Sequence, residues 1–206
     1  MLNELNGYFL GVVTAIVVGI RFFKRNGFRN GMTVRFCFVL ILIYYCTVYL
    51  SNTIFPMPVQ SSVIQSGIHE KKNYLIPFSE FMRMYESNVP AGNMTMETFI
   101  KAYCGAVWAY CAKIIPIGLL VKLVVKCSAK KYLTFSALSV VGLELVKITC
   151  NLITTVNYIS LVSEHILYSF ASLWIGFFLY YPVIWFVKSL RGKSNIMSVV
   201  YDQLTP

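Results

Sequence analysis

Five long apolar segments are the feature that most constrains the fold of this chain. They are Tyr8–Phe23, Phe36–Ile54, Phe99–Val125, Leu133–Thr154 and His165–Val187. A helix needs about 20 mostly apolar residues to cross the hydrocarbon layer of a bilayer. Charged residues make up only 13% of the chain, which is too few to cover the surface of a soluble domain. The sequence therefore predicts an all-α, polytopic membrane helix bundle with five transmembrane helices, and it excludes a soluble globular domain.

The distribution of lysine and arginine predicts the orientation of these helices. Twelve of the 18 basic residues lie at the ends of the first, third and fifth segments or follow them, and they are Arg21, Lys24, Arg25, Arg29, Arg35, Lys122, Lys126, Lys130, Lys131, Lys188, Arg191 and Lys193. Cytoplasmic loops carry an excess of such residues, so we expect the N-terminus outside and the C-terminus inside. This gives a single transmembrane domain over 1–190 in the cell membrane, with an outer loop over 55–98, and a cytoplasmic tail over 191–206.

The net charge of +10 and the six cysteines indicate neither a nucleic-acid site nor a metal site. The basic residues lie beside apolar segments, where they are expected to face the cytoplasmic membrane surface and its lipid. The cysteines are expected to be small packing residues. His69 and His165 are too few for a metal site, and no nucleophile–base arrangement or phosphate loop is visible. We therefore predict no cofactor, no metal and no nucleic-acid partner, with membrane lipid as the partner.

The outer loop contains one amphipathic stretch. Phe78, Phe81, Met82 and Tyr85 recur at the spacing of one helix face, with polar and charged residues between them. Because proline suits the first turn of a helix, the pattern predicts a short helix over Pro77–Glu86. Its apolar face either lies on the outer leaflet or packs against the protein's own spans, and the sequence leaves both alternatives open.

Four charged residues lie within or next to the apolar segments: Lys113, Glu144, Lys147 and Glu164. Each would cost about 3 kcal/mol or more if it faced lipid, so such residues usually face a partner or a wet cavity. Helix rise places Lys113 and Glu144 about 18 and 20 Å from their helix starts, near mid-membrane. Glu144 is expected to point into the bundle beside Lys113, which depth favours, or Lys147, which i,i+3 spacing favours. The cluster is either a structural ion pair or a charged cavity for a polar or anionic head group.

Small residues and a proline predict how the helices pack. Gly11, Ala15 and Gly19 share one face of the first helix, where they permit close approach of a neighbour. Pro116 and Gly118 interrupt the third segment, and a proline inside a helix removes a backbone hydrogen bond. We therefore expect a kink just past Lys113.

Four short motifs also occur in a characteristic order between roughly Ile54 and Tyr181. They are Leu75, Ile76, Pro77 and Phe78 in the outer loop, Pro116 with Gly118, Glu144 with Lys147, and Glu164–Tyr168. This order resembles the VanZ-like family of bacterial membrane proteins, which has Asn-Leu-Ile-Pro-Phe, Ile-Pro-Leu-Gly, Glu-x-x-Gln and Asp-x-x-x-Asn at the corresponding places. Here Lys147 stands for the glutamine, Glu164 for the aspartate and Tyr168 for the asparagine.

The resemblance implies a role in low-level resistance to teicoplanin-like glycopeptide antibiotics. The leading hypothesis is an accessory membrane protein that handles or shields a lipid-linked or lipopeptide ligand at the outer face, such as a lipid-linked cell-wall precursor or a lipoglycopeptide. One alternative is an intramembrane enzyme that acts on a lipid head group, with Glu144 as the acid or base. Another is a small transporter or a transporter subunit, although five spans without inverted repeats make an independent carrier less suitable.

Overall fold

The chain folds into a membrane helix bundle, and the residues that the structure describes form six helices and one short strand pair as their main elements. The computed structural model describes residues 4–5, 7–26, 32–54, 57–58, 75–125, 127–154, 159, 161–191, 198 and 200–202. The helices are α1 Gly7–Asn26, α2 Met32–Thr53, α3 Ser79–Asn88, α4 Met96–Val125, α5 Ala129–Thr154 and α6 Ser163–Leu190. The antiparallel pair joins β1 Glu4–Leu5 to β2 Met57–Pro58, with Glu4 opposite Pro58.

Four of these helices, α2, α4, α5 and α6, are long and apolar enough to cross a membrane. This confirms the predicted all-α membrane bundle. Among the residues of α1 whose side chains the structure describes, the apolar part covers Gly11–Arg21, which is shorter than a full span. The count of five spans, and the outward N-terminus that depends on it, therefore stay predictions.

The tightest contact in the bundle is between α4 and α6, which run in the same direction. Gly118 of α4 lies against the backbone of Leu173, and Gly176 of α6 lies against the backbone of Ile115 and Leu119. Glycine is required at both positions because a Cβ atom would overlap these backbone atoms. Tyr132 of α5, which is fully buried, donates a 2.7 Å hydrogen bond to the carbonyl of Leu173 and so ties α5 to this contact. The α4–α6 pair is therefore the core on which the other helices pack.

Helix α2 packs on α4 and also on α1. The predicted small-residue face of α1 is confirmed at Gly11, where a Cβ atom would overlap Thr47 of α2. At the other end of α2, Arg35 donates hydrogen bonds of 3.1 and 2.7 Å to the carbonyl of Val124. We call this end of the bundle the basic end, since Arg35, Lys122, Lys130, Lys131 and Lys188 lie there on the starts or ends of their helices.

The opposite end of the bundle, here called the loop end, is formed by α3, by the starts of α4 and α6, and by the ends of α2 and α5. The short connection after α5 is held there by Asn151, whose side chain donates to the carbonyl of Ile159 and accepts from its backbone N–H. The antiparallel packing of α5 on α6 follows from this short connection, as the sequence predicted.

The amphipathic helix α3 is confirmed, but it begins at Ser79 rather than at Pro77. Phe78 precedes it with a left-handed backbone, φ 64° and ψ 5°, which cannot continue into a helix. Phe81 packs against the rings of Phe99 and Tyr103, at 5.4 and 4.9 Å between centroids.

The sequence left open whether the apolar face of α3 packs against the protein's own spans or faces the outer leaflet. In the structure, one half of this face packs on the bundle and the other half points away from it. Phe81 and Tyr85 turn towards α4, where the ring of Tyr85 lies 5.8 Å from that of Phe99. Phe78 and Met82, with 61% and 47% of their surface exposed, turn away from the bundle. Leu75 and Ile76 are exposed beside them. The outer-loop motif thus presents apolar side chains outward at the loop end.

Candidate functional site

The centre of the candidate site is an ion pair on α5. The Nζ atom of Lys147 lies 2.6 Å from Oε1 of Glu144, and only 2% and 13% of the two side chains are exposed. Lys147 falls on the buried stripe of α5 that also contains Val140 and Asn151, so it faces α6. A lysine at such a position must have a partner, because an unpaired buried charge is costly. The i,i+3 spacing on one helix supplies that partner.

Of the two bases predicted for Glu144, the structure selects Lys147 rather than Lys113. The Lys113 side chain is exposed on α4, and in the described part of the chain it joins no ion pair. Lys113 and Glu144 were predicted to lie at similar depths in the membrane. Similar depth does not bring two side chains together, because the direction of a side chain also depends on the helix face. The structure thus brings together Glu144 and Lys147 but leaves Lys113 outside their pair.

A network of hydroxyl groups joins three helices beside the ion pair. The hydroxyl of Tyr110 on α4 lies 3.2 Å from that of Tyr49 on α2 and 2.8 Å from that of Ser169 on α6. The imidazole ring of His165 stacks on the ring of Tyr110, at 4.5 Å between centroids. The charge of Glu144 acts on Tyr110, which brings the network into electrostatic range of the ion pair.

A second acidic group lies nearer the loop end. Glu164, in the first turn of α6, is only 5% exposed. Its Oε2 atom accepts a hydrogen bond of 3.2 Å from Ser163, and its Oε1 atom is buried with no hydrogen-bond partner among the described residues. A buried carboxylate oxygen without a partner is rare and requires an explanation.

Glu80 of α3 covers this region from outside. Its Oε2 atom lies 3.9 Å from Nε2 of His165, which is an electrostatic contact but longer than a hydrogen bond. Burial raises the pKa of Glu80 above its ordinary value, the negative charge of Glu164 raises it further, and Arg83 opposes both effects. Glu164, His165 and Glu80 therefore form one polar group, and Lys147 acts on it through its charge on His165.

Below the polar groups, towards the middle of the bundle, lies an apolar cleft of about 290 Å³. The residues that line it come from α2, α4, α5 and α6, and they are Leu42, Cys46, Tyr49, Leu50, Ile114, Ile117, Val121, Phe135, Ser139, Val140, Leu143, Ser169 and Leu173. Tyr49 and Ser169 belong both to this cleft and to the hydroxyl network. The cleft therefore ends at the polar groups.

The proline motif of α4 lies at the wall of the cleft. Ile114 and Ile117, on either side of Pro116, line it, and α4 is one continuous helix through the proline. Gly118 serves the α4–α6 contact described above. The kink predicted at Pro116 and Gly118 stays a prediction. Within the described residues, no group of three or more His, Cys, Asp or Glu side chains is placed to hold a metal ion.

Sequence reasoning identified Glu144, Lys147 and Glu164, with His165 adjacent, but missed Glu80 and the hydroxyl network. Tyr49, Tyr110, Ser169 and Glu80 were not assigned to the site. Tyrosine and serine in apolar helices are usually packing residues, so they gave no signal by themselves. Glu80 was assigned to the polar face of an amphipathic helix, and only the packing of α3 on the bundle reveals its proximity to His165.

No family model, curated protein or solved structure matches this chain. The VanZ-like resemblance therefore rests on the sequence motifs alone.

Proposed function

We propose that this protein binds an amphiphilic ligand, a lipid-linked or lipopeptide molecule, at the loop end of the bundle. The acyl part occupies the apolar cleft, and the head group lies at the polar groups around Glu144, Lys147 and Glu164. By holding the ligand in this way, the protein shields it at the outer face of the cell membrane. A VanZ-like role in resistance to teicoplanin-like glycopeptides is the form of this function that the sequence motifs favour.

The observation that carries the proposal is the cleft that ends at buried polar groups. Its volume of about 290 Å³ approaches the range of small-molecule pockets, which begins at roughly 300 Å³. An amphiphile needs an apolar space for its chain next to polar partners for its head group. Tyr49 and Ser169 stand at this boundary, since both line the cleft and both bond to Tyr110.

Binding accounts for the polar groups better than catalysis does. The carboxylate of Glu144 already accepts a hydrogen bond of 2.6 Å from Lys147, so it is not free to act as an acid or base on a ligand. An enzyme acting on a head group would also need a nucleophile or a second acid–base group at the same depth. Among the described residues, His165 and the hydroxyls of Tyr110 and Ser169 lie beside the pair, and none of them hydrogen-bonds to Glu144. The transporter alternative has no specific observation in its favour.

A cleft-filling substitution tests the proposal. We expect Ser139→Phe to block the cleft, because Ser139 lines it from α5. The matched control is Thr149→Phe, since Thr149 is also an exposed hydroxyl residue of α5 but does not line the cleft. The purified protein in lipid nanodiscs is labelled with a lipid that carries a photoreactive group in its acyl chain. Wild type and Thr149→Phe should be labelled within the cleft, and Ser139→Phe should not.

Equal labelling of all three proteins would overturn the proposal. A second measurement tests the role in cells. Cells that produce each variant are challenged with a teicoplanin-like lipoglycopeptide and with a glycopeptide that has no acyl chain. Protection against the acylated compound alone, lost in Ser139→Phe and kept in Thr149→Phe, is the expected result. No protection by the wild-type protein would exclude the resistance role.

A further inference from the structure

Two of the eight acidic residues of this strongly basic chain, Glu80 on α3 and Glu164 on α6, lie within electrostatic range of each other at the loop end. A third, Glu144, lies deeper in the bundle on α5. Glu144 is neutralised by Lys147 at 2.6 Å. The remaining two carboxylates act on each other, with Arg83 and His165 as the charged or titratable groups that the described residues place near Glu80. The fold therefore gathers negative charge at one place in a chain of net charge +10.

The orphan atom in this group is Oε1 of Glu164. Glu164 is 95% buried, because its exposed fraction is 5%, and this oxygen has no hydrogen-bond partner among the described residues. Leaving a buried polar atom unpaired costs free energy, and more for a charged group than for a neutral one. An oxygen of this kind is therefore a position at which a ligand that donates hydrogen bonds would be stabilised.

Glu80 adds a second carboxylate on the outer side of the same place. Its side chain is 28% exposed, so the group is reachable from the surface of the loop end. Burial and the charge of Glu164 both disfavour its charged form, as its raised pKa indicates. A cation placed between Glu80 and Glu164 would offset the repulsion between the two carboxylates and so favour the charged form of Glu80.

The chemistry of the group favours an organic cation over a metal ion. Calcium takes six to eight oxygen ligands, whereas the described residues provide no cluster of three candidate ligands. A primary ammonium group has three N–H donors and needs only a few acceptors. Two carboxylates supply negatively charged acceptors of the kind that an ammonium group binds.

We propose that Glu164 and Glu80 bind the primary ammonium group of the amphiphile whose acyl chain occupies the cleft. This inference rests on the proposed function and names the head group that the site recognises. The distances agree with one molecule reaching both places. Glu164 precedes Ser169, a residue of the cleft, by five positions on α6, which corresponds to about 7.5 Å along the helix.

The experiment uses two ligands that differ only in the ammonium group. The full-length protein in nanodiscs of phosphatidylcholine is titrated with short-chain phosphatidylethanolamine and with its N-acetylated form. Wild type should bind the amine form roughly tenfold more tightly, as expected for a charge-assisted hydrogen bond. Glu164→Gln and Glu80→Gln should each remove this preference. Glu97→Gln should keep it, because Glu97 is exposed on α4 and is paired with Lys101.

A second pair of ligands distinguishes the source of the amine. An acylated peptide with one free lysine and the same peptide with acetylated lysine are titrated in the same way. A preference for the free amine in both pairs supports a general amine site, and a preference in one pair alone supports the site and assigns it to that class of ligand. If Glu164→Gln does not fold, Glu80→Gln carries the test, since Glu80 lies at the surface of the group.

The failures of the two proposals are separable. Equal binding of the amine and acetylated forms by wild type would overturn the ammonium site and leave the proposed function intact. Loss of the preference in Glu97→Gln as well would also overturn the assignment to Glu80 and Glu164. If wild type binds neither ligand of either pair, the proposed function itself is wrong.

Discussion

At the scale of single residues, the ion pair of Glu144 and Lys147 is the point at which structure and function are hardest to separate. Two buried charges gain little net stability from each other, since removing them from water costs nearly as much as their attraction returns. Removing one partner is different, because the other is then left buried and uncompensated. The pair can therefore be structurally essential and still serve a ligand.

Lys147→Met should destabilise the protein by about 3 to 5 kcal/mol, because it leaves Glu144 buried without its partner. Lys101→Met is the matched control, since the Lys101–Glu97 pair has the same 2.6 Å distance but is 75% and 78% exposed. It should change stability by less than about 1 kcal/mol. Unfolding of each variant in detergent, followed by circular dichroism, measures the difference.

Glu144→Gln then separates the two roles of the pair. If the pair is structural, ligand binding should fall only as far as the amount of folded protein falls. If Glu144 also serves the head group, binding should drop while the folded fraction stays normal. If Lys147→Met and Lys101→Met destabilise the protein equally, burial does not make the Glu144–Lys147 pair different from the exposed pair. This result would contradict the stability prediction for Lys147→Met.

At the scale of elements, the sequence predicted helices well where a long apolar run or a regular period left no choice. The four long helices and α3 follow this rule. The start of α3 was wrong by two residues, because proline at a helix start is a preference that the left-handed backbone of Phe78 overrides. Which half of the apolar face of α3 packs on α4 depends on the position of the bundle, and local periodicity carries no information about that position.

Phe81 should hold α3 on the bundle, since its ring lies between those of Phe99 and Tyr103. Phe81→Ala is expected to cost about 2 kcal/mol locally, less than a fully buried phenylalanine, and to speed hydrogen exchange in Ser79–Asn88. Phe78→Ala is the control, because Phe78 is 61% exposed. Hydrogen exchange followed by mass spectrometry compares the two. Equal protection of α3 in both variants would show that Phe81 does not anchor it.

At the scale of the whole molecule, the class of fold was predictable and the site was only partly so. Hydropathy and charge distribution are averaged over long segments, so a single unusual residue does not change the fold class that they predict. The site depends on side-chain directions on four helices, and this is why Lys147 and Glu144 were predicted together whereas Tyr110 and Ser169 were not. Gly118 was assigned to a kink because sequence alone does not reveal that Leu173 lies against it.

The number of spans is the remaining question at this scale, and the packing of α1 favours five. With 20 residues α1 is about 30 Å long, which matches the hydrocarbon layer. Its N-terminal end is joined to the end of α2 through the pairing of Glu4 with Pro58, and Gly11 lies against Thr47. A helix that runs antiparallel along a spanning helix over this length is expected to cross the membrane with it. The distribution of lysine and arginine predicts that Gln60–Asn93 is outside and that Arg25, Lys130 and Ser194–Pro206 are inside.

Cysteine labelling of intact cells tests this topology in a variant whose six native cysteines are replaced by alanine. Ser66→Cys and Ser194→Cys test the outer loop and the tail that the sequence predicts. Because Ser66 and Ser194 lie outside the described residues, Glu4→Cys, Ser87→Cys and Ser128→Cys are used in addition. A membrane-impermeant maleimide should label Glu4→Cys, Ser66→Cys and Ser87→Cys, because they lie at the loop end or in the outer loop. It should label Ser128→Cys and Ser194→Cys only after permeabilisation, since Ser128 lies at the basic end and Ser194 belongs to the tail that the sequence predicts to be cytoplasmic. Labelling of Ser87→Cys without labelling of Glu4→Cys would reduce the count to four spans. Labelling of Ser128→Cys in intact cells without labelling of Ser87→Cys would invert the orientation and place the candidate site on the cytoplasmic side.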